Sequence, residues 1–107
     1  MAFKVPSDII KASKALSVSI LKDAGGSSAV ANSLDRDRQY IHNCTSRGYV
    51  PVKSVYDISR LLGVSAWTLC YHKLMEAFGE EAPSFKEVIK EAPLLPKEKT
   101  RILNMLR

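Results

Sequence analysis

Apolar residues in this chain recur at steps of three and four, and strand-like character is confined to one short stretch, "YVPV" at 49–52. Steps of three and four line one side of a helix, whereas alternation lines one face of a strand. The pattern predicts an all-α protein. Ser7 is placed to cap a helix over about 7–23, with Asp8 in its first turn and "AGG" ending it. Its inward side is expected to carry Ile10, Leu16 or Ser17, Ile20, Leu21 and Ala24, with a break near Ser17 as the alternative to a continuous helix. Ser27 or Ser28 caps a short helix to Leu34 that offers Val30, Ala31 and Leu34 to the core. Asp37 is the expected cap of the next, over about 38–45, with Ile41 and Cys44 inward. In "SRGYVP", Gly48 suits a positive φ and Pro51 restricts Val50.

Downstream, Val55, Ile58, Leu61 and Leu62 give core spacing to a helix over 52–62, which Gly63 stops. Ser65 opens a helix to Phe78, closed by Gly79, and "EEAP" reads as a linker. Ser84 and Glu87 have capping-box spacing at the head of "SFKEVIKEA". "PLLP" breaks that helix, and Pro96 with Glu98 marks the start of the last one, "PKEKTRILNML". The expected organisation is a helical core over residues 1–64. Residues 65–107 form a helical extension, packed on that core, at a dimer interface, or both.

Charge adds a direction. Residues 1–60 hold nine basic and five acidic side chains, whereas 61–107 hold seven and six. A basic first half beside a balanced second half suits a polyanion bound through the first. With 107 residues the chain suits one domain. Two cysteines inside helical patterns make a disulfide framework improbable, and the absence of a membrane span or signal pattern makes the cytoplasm the expected compartment.

The stretch "GGSSAVANSLDRDRQYIHNC" sets two short helical patterns almost end to end at Asp35. Ala31 is small where a second helix would cross closely, Leu34 ends the first pattern, and Asp37 caps the next. Together with "LLGVS" at 61–65, these residues resemble the helix-turn-helix domain of Cro/repressor-class regulators of phage and bacteria over about 16–62. The resemblance departs at Asp35, where glycine is usual, at Arg36, where an apolar residue is usual, and at Cys44, commonly larger. It implies a four-helix reading core with the extension appended. The implied function is a sequence-specific double-stranded DNA-binding regulator, a dimeric repressor type acting on a two-fold operator in the bacterial cytoplasm.

The residues support that expectation separately. With Ile41 and Cys44 inward, Arg38, Gln39, His42 and Asn43 face outward as candidates for base contacts in the major groove. Arg pairs with guanine, and Gln or Asn with adenine. Ser27, Ser28, Arg36, Ser46, Arg47, Tyr49 and Lys53 flank this face as candidate phosphate contacts. Tyr40 suits either a phosphate or the first helix. A solvated polar face is the plain alternative.

Other chemistries fit poorly. His42/Cys44 and Cys70/His72 are two apart, about 200° around a helix, so neither pair clamps a metal or forms a Cys–His nucleophilic site. No phosphate loop, acidic metal cluster or serine elbow occurs. The expectation is no enzyme, no metal and no cofactor, with Cys44 buried, Cys70 in a core or an interface, and both histidines at the surface. In "WTLCYHKLMEAFG", apolar residues cover much of a helix circumference. Leu69, Leu74 and Phe78 are expected to be covered within the chain, and Trp67, Tyr71 and Met75 are the candidates for a homodimer interface. The rival function is a helical adaptor for a host or phage protein such as RNA polymerase, using Glu76, Glu80 and Glu81.

Overall fold

Two serines one helical turn apart, Ser13 and Ser17, point into the core, and much of the architecture follows from what they bind. The computed structural model describes residues 4–23 and 38–106, the side chains of 38–41 excepted. Six helices occupy these residues: α1 (Ser7–Asp23), α2 (Arg38–Arg47), α3 (Val52–Leu62), α4 (Ala66–Phe78), α5 (Phe85–Glu91) and α6 (Pro96–Leu103). Among the described residues there is no strand, and "YVPV" forms none. Val50 instead sends its N–H to the carbonyl of Leu69 at 3.0 Å.

α1 and α4 are the central pair. α1 also meets α2 and α6, while α4 also meets α3 and α5. Leu16, Ile20 and Leu21 of α1 join Val55 and Ile58 of α3, Leu69, Tyr71 and Leu74 of α4, Ile89 of α5 and Ile102 of α6 in one buried cluster. That core therefore draws on both sides of position 64.

The helix ends follow local chemistry. Ser65 Oγ accepts the N–H of Trp67 at 3.2 Å, and Ser84 Oγ accepts that of Glu87 at 3.3 Å. Gly63 adopts the left-handed conformation at φ 68° and donates to Arg60, while Val64 donates to Ser59, closing α3 with a double turn of carbonyls. Pro96 sits at the start of α6. At the head of α1, Pro6 supplies the first acceptor, for Ile10, so Ser7 already lies within the helix.

Four expectations are corrected. α1 runs through Ser17 without a break, and its inward side starts at Ala12 and Ser13, leaving Ile10 half-buried. Leu61 and Phe78 are 44% and 47% exposed, because α3 turns only Val55, Ile58 and two serines fully inward and α4 ends at the surface. The last helix stops at Leu103. Finally, α4 is kinked at Cys70, where φ and ψ leave helical values.

The kink has an identifiable cause. A regular helix would bond the N–H of His72 to Thr68 and the carbonyl of Leu69 to Lys73. Here His72 donates its N–H to Ser13 Oγ at 3.1 Å. The Leu69 carbonyl accepts Ser17 Oγ at 2.9 Å as well as the Val50 N–H. Side chains from α1 thus bond the α4 backbone on both sides of Cys70, and side-chain insertion at a helix ladder is one recognised origin of a sharp bend. Among the described residues, no buried side-chain nitrogen or oxygen is left without a partner.

Candidate nucleic-acid interface

α2 is a polar helix, "RQYIHNCTSR", attached to the core by one side. Cys44 is buried at 1% exposure and Thr45 is half-buried, while His42, Asn43, Ser46 and Arg47 are exposed. By a 3.6-residue period His42 and Ser46 lie opposite Cys44, Asn43 lies about a quarter-turn round, and Arg47, three residues on, stands at the border beside the buried side. Lys53 is exposed in the first turn of α3.

The turn after α2 locks it onto α1. The carbonyl of Cys44 accepts both the Gly48 N–H at 2.9 Å and the Tyr49 N–H at 3.1 Å. Gly48 has φ 94°, and a Cβ there would lie 2.9 Å from Cβ and Cγ of Lys14. Only glycine allows so close an approach in that conformation. The result sets Arg47 over the ring of Tyr49, 5.6 Å from its centroid, with the Lys73 ammonium also 5.6 Å away. Tyr49 is half-buried and meets the His72 ring edge-on at 4.9 Å. This candidate phosphate contact is therefore committed to packing and to two cations.

His72 is buried, which corrects its placement at the surface. Ser13 Oγ accepts the His72 N–H at 3.1 Å and shares a second hydrogen bond with its Nδ1 at 2.9 Å. The imidazole is held neutral: burial first, then the charges of Lys73 and Lys14, push its pKa down to about 4 against a smaller opposing effect of Glu76. Burial pushes the Cys70 thiol up to about 12, and raises that of Cys44 against the opposing charge of Arg47. Both remain protonated at neutral pH and are poor nucleophiles. Among the described residues, no group of three or more His, Cys, Asp or Glu side chains is placed to hold a metal.

The remaining candidates divide into three. Ser27, Ser28, Arg36, the Asp35 corner and the Asp37 cap lie outside the described residues, as do the side chains of Arg38 and Gln39 on the first turn of α2. Trp67 and Met75 are half-buried. Tyr71 is corrected to a core residue: it is 2% exposed, stacks edge-on with Phe85 at 4.9 Å and donates its hydroxyl to the Pro83 carbonyl at 2.6 Å. It offers no surface to a second copy. Phe78 is exposed, with its ring 5.6 Å from that of Trp67.

A groove of about 740 Å³ runs beside α2, between α1 and the start of α6. Lys14, Lys22, Arg47 and Arg101 line it with Asp23 and Glu98. Arg47 was expected here, but the other three cations were not. For two of them the signal exists in the sequence, since Lys11, Lys14 and Lys22 recur at helical steps along one side of α1. Arg101 carries no such signal, because α6 reaches the groove only through tertiary packing.

No family model matches this chain, and no significant match was found among curated proteins or solved structures. Among the described residues, no helix is long and apolar enough to cross a membrane.

Proposed function

We propose that this chain is a sequence-specific double-stranded DNA-binding regulator in which α2 enters the major groove. The single observation that carries the reading is the division of α2: Cys44 is buried, while His42, Asn43, Ser46 and Arg47 are exposed on a helix anchored by one side. In this reading Arg38, Gln39, His42 and Asn43 meet base edges. Arg47 and Lys53 meet phosphates. The test is selection of a preferred duplex from random sequence, followed by salt titration of variants that unfold normally. Asn43→Ala or Gln39→Ala is expected to cost about 1–3 kcal/mol on the selected duplex and little on scrambled DNA. Unchanged sequence preference in both variants refutes the reading face.

Regulators of this kind read two-fold sites as pairs. We assign the pairing surface to Phe78 and Trp67, since an exposed ring beside a half-buried one is the apolar surface that a second copy would cover. Sedimentation equilibrium is expected to show a dimer with operator DNA, and Phe78→Ser to weaken it. A species of only 11.9 kDa with and without DNA rejects pairing. The adaptor reading keeps one supporting observation, the exposed Glu80 and Glu81 directly after Phe78. Tight protein capture without salt-sensitive duplex affinity would favour it.

A further inference from the structure

We infer that the basic groove between α1 and α6 is a seat for the phosphodiester backbone of duplex DNA, so that the C-terminal helix takes part in binding. The inference rests on the reading of α2 for its orientation, though not for its charge. Among the described residues four cations face the groove against two carboxylates, and they come from three separate elements: Lys14 and Lys22 from α1, Arg47 from α2 and Arg101 from α6. Ser46 and Arg47 also belong to the exposed face of α2, so the groove and the reading face are continuous. A helix lying in the major groove has a sugar-phosphate strand at its border, and the groove opens beside α2 where such a strand would run.

The chemistry of the lining favours a charged chain over bases. Among the described residues that line the groove none is aromatic, so it provides no stacking platform for a single strand. Arg101 is pre-positioned. Its Nη2 and Nε donate to Glu98 Oε2 at 2.8 and 3.2 Å, and Nη2 also reaches Ser19 Oγ at 3.4 Å. A guanidinium held on one edge still presents donors on the other, which suits a phosphate. Glu98 makes the groove less attractive to anions than it would otherwise be.

The experiment is fluorescence anisotropy of the full chain on a random-sequence duplex across a range of salt, so that base reading plays no part. Lys22→Gln and Arg101→Gln are each expected to lower the log–log salt slope by about 0.9 and to weaken binding about fivefold to tenfold near 0.1 M salt. Glu98→Gln, which removes an anion and no cation, is expected to tighten binding several-fold. Thermal unfolding of each variant checks that folding is intact. If Lys22→Gln and Arg101→Gln leave slope and affinity unchanged while Lys53→Gln reduces both, the groove is overturned and the reading face stands. If both groove variants act as expected while Asn43→Ala and Gln39→Ala keep the sequence preference, the groove stands and the reading face falls. Binding of poly-glutamate as tight as that of duplex at equal ionic strength overturns the phosphodiester assignment. A wild-type chain with no salt-sensitive affinity for any duplex overturns both.

Discussion

Two hydrogen bonds meet on the hydroxyl of Ser13, one from the His72 N–H and one shared with its Nδ1. Replacing Ser13 by Ala leaves both buried groups of His72 without a partner, at a cost of about 1–3 kcal/mol for each group left unpaired. In the intact protein the folded pKa lies near 4 and the unfolded one near 6.5. Between those values the unfolded chain binds a proton that the folded chain refuses. Stability from this residue is therefore complete above about pH 6.5, falls as pH drops towards 4, and is lost below it. The size is about 3 kcal/mol, from a shift worth 1.36 kcal/mol per unit. Urea unfolding at pH 7 and pH 4.5, with the His72 ring followed by NMR, checks both points. A ring that titrates near 6.5 in the folded protein refutes the assignment.

Elements are positioned by their ends, and two glycines show how differently that works. Gly63 ends α3 with φ 68° and open space where a Cβ would go. Gly63→Ala is expected to cost about 1–2 kcal/mol, the left-handed penalty alone, and to leave duplex binding unchanged. Gly48 ends α2 with φ 94° and Lys14 Cβ and Cγ at 2.9 Å from the added atom. Those atoms are close to the α1 backbone, so the helices themselves must part. Gly48→Ala is expected to cost the conformational penalty plus about 1–3 kcal/mol of overpacking. It should also weaken duplex binding, because α2 tilts relative to α1. Thermal unfolding and duplex titration of the two variants side by side check the contrast; equal effects on binding refute it.

On the scale of the whole molecule, the C-terminal helices complete the core as well as extending it. Ile102 of α6 is wholly buried in the cluster that contains Leu16 and Ile20, whereas Leu95, seven residues earlier, is 72% exposed. Ile102→Ala is expected to cost about 2–5 kcal/mol in one cooperative transition. Leu95→Ala should stay within about 0.5 kcal/mol. Urea unfolding followed by circular dichroism decides it. A separate early transition in Ile102→Ala would mean that residues after 64 fold as an independent unit.

The sequence by itself determined several of the helix ends. Caps at Ser65 and Ser84, the left-handed Gly63 and the proline of α6 act within a few residues, and each sits where the pattern put it. It also determined the division of α2 into buried Cys44 and exposed His42 and Asn43, since a 3.6-residue period needs no partner to be read. Tertiary structure alone decided that Ser13, Ser17 and His72 lie inside. A polar residue earns no inward place from periodicity; it is buried only where another element offers it bonds, here Ser13 against His72, 59 positions away and just past the kink. Tertiary structure likewise chose between the aromatics of α4, taking Tyr71 in and leaving Phe78 out. An apolar run that covers most of a helix does not say which side will be met. Finally, Arg101 joined Lys14 and Lys22 in one groove because packing brought α6 against α1, and charges so distant in the chain share a surface only once the core has closed.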